Sequence, residues 1–190
     1  TGVQTCALPI FVNGGNINLS IESFPIRRLS VAPEVGFILP YNGIGLKNNK
    51  GWKCGLETRY YLKFLYDNRG SESQYVGLRY MHKVQSFNYT DTIDIRHPLP
   101  YAKEYKLSKT CEIVHVVWGL RYLPVHGIEK EFYMGIGMRY KESIIDGLND
   151  DEIAQRLWSE TDQILPHVLS SGTSVDFDFT MGFRIGFGLK

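Results

Sequence analysis

The C-terminal segment of the chain alternates strictly between apolar residues and small or polar ones. Apolar side chains occupy every odd position from Val175 to Leu189, and the residues between them are Asp, Thr, Gly or Arg. Eight consecutive matches to a period of two exclude an α-helix and predict a β-strand with one apolar and one polar face. The fold must therefore offer two different environments on the two sides of a sheet.

The same alternation recurs upstream and predicts an all-β chain. The seven predicted strands cover residues 16–23, 29–39, 52–66, 76–84, 114–122, 131–140 and 175–189. The connections between them are alternately short and long. The short ones are 24–28, 67–73 and 123–130, and the long ones are 40–51, 88–106 and 143–173. This alternation is typical of an up-and-down antiparallel β-barrel with turns on one rim and loops on the other.

Charge and hydropathy exclude two classes of protein. The 190 residues carry 21 basic and 20 acidic side chains, and this near-neutrality argues against a nucleic-acid-binding protein. No stretch reaches the 18 or more apolar residues of a membrane-spanning helix. A transmembrane β-barrel is still allowed, because its alternating strands average out in hydropathy.

The first ten residues, TGVQTCALPI, resemble the translated sequence of a common sequencing adapter. We therefore exclude residues 1–10 from fold reasoning and expect a single, N-terminally truncated domain over residues 11–190. Counting strand directions back from the C-terminus leaves one ascending strand unaccounted for, since both ends of such barrels normally lie on the same side. The full protein is then expected to have eight strands, with Phe11 and Val12 ending the first and 13–15 as its hairpin turn. A signal peptide upstream is also expected.

Volume decides which face of the sheet points outward. The interior of an eight-stranded barrel is only wide enough to be filled by side chains or to hold one small ligand. The many bulky apolar residues do not fit there, whereas the other face combines glycines with acids and bases in nearly equal number. The sequence thus predicts a transmembrane barrel with an apolar exterior. The alternative is a soluble barrel whose polar face is solvated.

Paired charges are the predicted content of the interior, since an unpaired buried charge is costly. Arginines and glutamates on the polar face are expected to interleave and to close the pore to ions. The residues of this predicted lumen charge network are Glu22, Glu34, Glu57, Arg59, Arg79, Arg121, Glu131, Arg139 and Arg184.

The strand series resembles a family of small bacterial outer-membrane β-barrel proteins related in style to OmpA and OmpW, several of them known only as domains of unknown function. The resemblance lies in GGNINLSIESF (14–24), SVAPEVGFILP (30–40), GLETRYYLKF (55–64), YVGLRYMHK (75–83) and FTMGFRIGFGLK (179–190). It implies a porin-like transmembrane barrel in the outer membrane of a Gram-negative bacterium, in contact with lipid and with the barrel assembly machinery. It implies no catalytic residues. The end Phe187-Gly188-Leu189-Lys190 departs from the terminal aromatic residue that is usual in such barrels.

No catalytic, cofactor or metal site is predicted from motifs. The histidines lack metal-ligand spacing, and Cys54 and Cys111 fall on opposite faces. The leading hypothesis is a structural or surface-exposed barrel with a plugged lumen and no turnover. One alternative is a lipid-modifying barrel enzyme, with inward His115 as the base beside a Glu and a Ser. The other is a barrel that binds a small apolar ligand.

The last long loop carries a helix signal. An N-cap and acids at 149–152 precede Ile153 and Leu157 on one face, which predicts a short amphipathic helix. Together with the 88–106 loop, the 143–173 loop is the expected contact surface for an extracellular partner.

Overall fold

The structure is a computed structural model that describes residues 3–9, 16–40, 46–63, 71–93, 101–123, 128–149 and 172–187. Nearly all of these residues lie in β-strands, and none of them is helical. The strands in chain order are β1 (Val3–Pro9), β2 (Asn16–Ile26), β3 (Leu29–Ile38), β4 (Leu46–Lys63), β5 (Ser71–Ile93), β6 (Tyr101–Leu123), β7 (Ile128–Asp146) and β8 (Gly172–Phe187).

Each strand pairs antiparallel with the next one along the chain. This confirms the predicted all-β, up-and-down topology. The seven strands from Asn16 onward form a sheet whose first and last strands are β2 and β8. The short strand β1 pairs with both edges, so that the strand order runs from β1 to β8 and returns to β1. β1 lies inside the adapter-like residues 1–10, which are not part of the predicted domain, and it ends at Pro9, whereas the predicted first strand ends at Phe11 and Val12.

The two faces of the sheet differ as the alternation requires. Apolar side chains on the outer face are largely exposed, as shown by Phe177 at 72% and Met138 at 61%. Charged side chains on the inner face are buried, with Glu57 and Arg184 each 2% exposed. The distribution is the reverse of that in an ordinary globular protein, where large apolar residues are inside and charges outside. We call the space enclosed by the inner face the lumen.

The strands β5 and β6 are longer than predicted, and the predicted loop at 88–106 is therefore wrong. β5 continues to Ile93 and β6 begins at Tyr101. The alternation does not stop at residue 87 but changes phase, because beyond that point the apolar residues face inward. Four of these inward residues form a buried cluster, which we call the aromatic layer: Phe87, Tyr89, Tyr105 and Leu107.

The other predicted connections need smaller corrections. The 24–28 turn is tighter than expected, since β2 ends at Ile26 and β3 begins at Leu29. The 143–173 loop is shorter at both ends, since β7 extends to Asp146 and β8 begins at Gly172. The helix predicted in this loop falls on 150–171, outside the described residues.

The outer face of β2 to β8 carries a band of apolar side chains, which we call the apolar band. On β6 it runs from Val114 to Tyr122 and on β7 from Phe132 to Tyr140. Beyond it on β6 the outward positions are Glu112, Thr110, Ser108 and Lys106. At this border His82 lies directly opposite Glu112, with its Nδ1 atom 2.5 Å from Oε1 of the carboxylate. The partner explains why a histidine is tolerated at the edge of an apolar surface.

Tyrosines fill the lumen at the points where the opposite strand has glycine. Tyr75 lies directly opposite Gly119, and Tyr133 lies directly opposite Gly182. A Cβ atom added to Gly119 would lie 2.2 Å from the ring of Tyr75, and one added to Gly182 would lie 2.5 Å from the hydroxyl of Tyr133. Because these glycines have no side chain, a tyrosine ring from the neighbouring strand can lie directly over the glycine backbone.

We expect Gly119→Ala to destabilise the refolded protein by about 1–3 kcal/mol, because the added methyl group overlaps the Tyr75 ring. The measurement is a double-mutant cycle of urea unfolding with Tyr75→Ala. In the Tyr75→Ala background the same glycine substitution should cost much less, since the obstructing ring is gone. An equal cost in both backgrounds would show that the ring does not occupy this space.

Candidate functional site: the charged lumen

The end of the lumen nearest the β2–β3 turn is organised around the carboxylate of Glu22. Nη1 of Arg121 donates to one of its oxygens at 2.6 Å, and the Tyr61 hydroxyl donates to the other at 2.7 Å. Arg59 lies 3.3 Å away and the hydroxyl of Ser30 also donates to the carboxylate. Because Glu22 is only 4% exposed, these donors replace the water that a free carboxylate would bind.

The middle of the lumen is a ring of alternating charges. Arg184 donates to Glu57 at 2.7 Å and to Glu131 at 2.5 Å. Arg59 donates to the same two carboxylates, at 2.7 Å to Glu57 and at 3.0 Å to Glu131. Each guanidinium therefore bridges two carboxylates, and each carboxylate receives two guanidinium groups. Planar guanidinium groups with several fixed donors suit such bridging, which lysine does not reproduce.

Glu34 collects a second set of cations further along the lumen. Nη2 of Arg79 donates to its carboxylate at 2.6 Å, and Lys53 lies 3.7 Å from the other oxygen. Arg184 is 3.8 Å from Glu34, so this set joins the ring described above. Arg79 also lies 3.8 Å from Glu57. The ion pairs thus form one continuous network rather than separate contacts.

Tyrosine rings fix the arginines in place. The guanidinium carbon of Arg184 lies 4.1 Å from the centre of the Tyr133 ring, and that of Arg59 lies 4.8 Å from the centre of the Tyr75 ring. The Tyr75 hydroxyl also donates to Glu131 at 2.8 Å. A cation against a desolvated ring face gains a further attraction, and the ring excludes water from the pair. The rings and the ion pairs together fill the lumen at this level.

The network is electrically balanced. Its acids are Glu22, Glu34, Glu57, Glu129 and Glu131, and its bases are Lys53, Arg59, Arg79, Arg121 and Arg184. All ten are buried. Equal numbers of acids and bases are needed to bury ten charges, because the free-energy cost of desolvating each ion has to be offset by ions of the opposite charge.

The structure brings together eight of the nine residues proposed for the network and leaves Arg139 apart. The Arg139 side chain is 36% exposed and lies 3.4 Å from Asp178 and 3.7 Å from Asp176. Two members of the network were missed, Glu129 and Lys53. Each is separated by an even number of residues from an inward glutamate on the same strand, Glu131 or Glu57, so the alternation of the sequence already indicates that both face inward. Glu129 had been assigned to a turn, whereas β7 already begins at Ile128.

His115 is the buried titratable group most suited to catalysis. Its Nε2 atom lies 3.0 Å from Oδ2 of Asp178, and Nδ1 has no hydrogen-bond partner among the described residues. The Glu and Ser proposed for an enzymatic site do not contact it there. Within the described part of the chain, Cys54 and Cys111 are free thiols, and no group of three potential ligands could hold a metal ion.

Beyond the apolar band, exposed residues form ordinary surface contacts. The amide of Asn88 donates to Glu104 at 2.9 Å, and Lys47 lies 3.5 Å from the same carboxylate. The Asn88 hydrogen bond, and secondarily the Lys47 charge, lower the pKa of Glu104 below its ordinary value. Such exposed pairs contribute little to stability, in contrast to the buried network.

Comparisons with known proteins identify no similar protein. No protein-family model matches the sequence, and no curated protein or solved structure is significantly similar to it. The described residues also contain no helix long and apolar enough to cross a membrane.

We expect Arg184→Ala to lower the free energy of unfolding by about 3–5 kcal/mol, because it leaves Glu57 and Glu131 buried with too few cations. Arg27→Ala is the matched control: Arg27 is exposed in the β2–β3 turn, and its loss should cost about 0–1 kcal/mol. Urea unfolding of the refolded proteins measures both. Similar, small costs for the two variants would mean that water solvates the lumen charges.

Proposed function

We propose that the chain is an outer-membrane β-barrel whose lumen is plugged by side chains and which serves a structural or surface role without turnover. The observation that carries this proposal is the change of phase along β5 and β6. Within the apolar band these strands direct apolar residues outward and charges inward, and beyond it they direct aromatic residues inward and polar residues outward. A change of surroundings along one strand, from lipid to water, accounts for this reversal.

The width of the apolar band fits a bilayer. On β6 it covers the nine residues from Val114 to Tyr122, about 27 Å along the strand at roughly 3.3 Å per residue. A strand tilt of about 40° reduces this to about 20 Å along the barrel axis. With the side chains at its two ends, the band approaches the apolar height of about 25 Å in outer-membrane barrels. Membrane-spanning strands need about 9–11 residues, which agrees with the length of the band.

The amount of exposed apolar surface also supports a membrane. Thirty large apolar side chains are exposed on the sheet. Monomeric soluble proteins rarely expose a continuous apolar patch of more than a few hundred Å². A band that surrounds the sheet is stable only if something apolar covers it, and lipid chains cover such a band uniformly.

The resemblance to small outer-membrane proteins of the OmpA and OmpW style supports the same location. Outer-membrane lipid and the barrel assembly machinery are then the expected partners. The surface beyond the apolar band, including the described ends of the 88–106 and 143–173 regions, is the proposed contact area for an extracellular partner. A lipid-modifying activity would require a nucleophile beside His115. Binding of a small apolar ligand would require empty space in the lumen, and the charge network occupies that space in its part of the lumen.

The membrane placement is tested by two matched substitutions on the outer face of β7. Ile136 lies in the middle of the apolar band and Ile144 lies beyond it, and they are similarly exposed at 54% and 61%. We expect Ile136→Arg to destabilise the barrel refolded in lipid vesicles by about 2–4 kcal/mol, because it places a charge near the bilayer centre. Ile144→Arg should cost about 0–1 kcal/mol.

Unfolding of vesicle-bound protein by urea gives both values, and extraction gives an independent check. The protein should need detergent for extraction and should change its gel migration on heating. Equal costs for the two arginine substitutions, or a refolded protein that remains monomeric in buffer without detergent, would contradict the membrane placement.

A further inference from the structure

A second part of the lumen, between the charge network and the aromatic layer, is lined by lysines. Lys83 lies opposite Cys111, which in turn lies opposite Lys141. Lys109 and its opposite residue Ser143 occupy the next inward row. Lys109 and Lys141 are 7% and 5% exposed, and Lys83 is half-buried. The inward alternation of three neighbouring strands, β5 to β7, therefore brings three ammonium groups into one region.

These lysines lack the carboxylate partners that the charge network provides for its cations, although the Nζ atom of Lys109 lies 5.2 Å from the centre of the Phe87 ring. Among the described residues, no carboxylate lies within ion-pair distance of Lys83, Lys109 or Lys141, whereas Lys53 one strand away is 3.7 Å from Glu34. The Nζ atom of Lys141 and the hydroxyl of Ser143 are both buried without a hydrogen-bond partner in the described structure. An unpaired buried ammonium group is costly, so this arrangement indicates a missing anionic partner.

The nearest carboxylates are already engaged. Asp178 binds His115 at 3.0 Å and Arg139 at 3.4 Å, and Asp176 lies 3.7 Å from Arg139. Positive charge therefore exceeds negative charge in this part of the lumen. Burial and the neighbouring Lys141 ammonium lower the pKa of Lys109, which lies beyond the apolar band, to about 7. Mutual repulsion of this kind is relieved when an anion binds between the cations.

Water can reach the lysines from the β7–β8 side. The side chain of Arg139 is 36% exposed, and those of Asp176 and Asp178 are 20% and 19% exposed although they point into the lumen. The charge network below has no comparable opening, since its arginines are at most 3% exposed. A small polar ligand can thus approach this region without crossing the plug.

We propose that Lys83, Lys109 and Lys141, with the Ser143 hydroxyl, bind a phosphate group. A phosphate carries up to two negative charges and several acceptor oxygens, which matches the excess of cations and the two unpartnered donors. A carboxylate would neutralise only one of them. The phosphate is either free inorganic phosphate or the headgroup of a phosphorylated lipid. The proposal depends on the strand registers and not on the membrane placement, so the two can fail independently.

The test uses the full chain refolded in a neutral detergent and inorganic phosphate as the probe, measured by calorimetric titration. We expect Lys141→Gln to weaken phosphate binding about 10–100-fold, the usual effect of losing one charge-assisted hydrogen bond. Lys130→Gln is the matched control, since Lys130 is exposed on the outer face of the same strand, and its affinity should stay within about twofold. Lys109→Gln serves as a second variant if Lys141→Gln does not refold.

Stability without phosphate provides an independent readout. Removing an unpaired cation should leave the phosphate-free Lys141→Gln protein at least as stable as the wild type, whereas phosphate should stabilise only the wild type. A sodium chloride control at equal ionic strength separates binding from charge screening. To identify the source, the same titration is repeated in vesicles of phosphatidylcholine with and without phosphatidic acid, because an occupying headgroup would reduce the affinity for added phosphate.

Tight binding that vesicles with phosphatidic acid do not reduce would assign the site to free phosphate. A reduction confined to those vesicles would assign it to a lipid headgroup. The proposal is overturned if phosphate stabilises the wild type no more than sodium chloride does in either setting, or if Lys141→Gln binds phosphate as well as the wild type does.

Discussion

The structure depends on the pairing of charges inside a narrow sheet. The charge network buries five carboxylates and five cations in the lumen, and almost every one contacts more than one partner. Charges packed so closely exclude water, and together with the tyrosine rings among them they fill the inner face at this level. At the level of the charge network, most of the large aliphatic side chains therefore lie on the outer face. The charged inner face of the sheet thus determines that the outer face is apolar.

Packing within the lumen gives the network its rigidity. The rings of Tyr75 and Tyr133 lie over glycines of the neighbouring strands, and each ring also lies against the guanidinium group of an arginine. The same rings that lie against a glycine backbone therefore hold a guanidinium between two carboxylates. Beyond this level the balance changes: lysines replace arginines, and acids become too few to pair them. The lumen accordingly has a neutral, closed part and a cationic part open to water, which suit different roles.

Much of this arrangement followed from the parity of residues along each strand. Parity correctly placed Glu22, Arg59 and Arg184 on the inner face, because one face of a strand cannot change without a bulge or a change of surroundings. The partners were not predictable, since Arg59 and Glu131 are 72 residues apart and meet only through the strand registers. Arg139 shows the limit of parity: it faces the lumen, but at a level where the described carboxylates are Asp176 and Asp178.

The strand ends were predicted less well than the strand centres, for a physical reason. A single alternating pattern continues along a strand only where the same face stays apolar, and this holds only while the surroundings stay the same. On β5 and β6 the phase reverses, so Tyr89 and Tyr105 fall in the predicted 88–106 loop although they form part of a regular sheet. The reversal marks the place where β5 and β6 leave the apolar band.

The most direct test of the central claim is an accessibility profile along the outer face of β6. Spin labels placed singly at the even positions from Glu104 to Tyr122, in a cysteine-free background refolded in vesicles, are compared for collision with oxygen and with a water-soluble nickel complex. We expect collisions with oxygen to dominate from Val114 to Tyr122 and collisions with the nickel complex to dominate from Glu112 to Glu104. A profile with no change along the strand, or with nickel access throughout, would contradict the account.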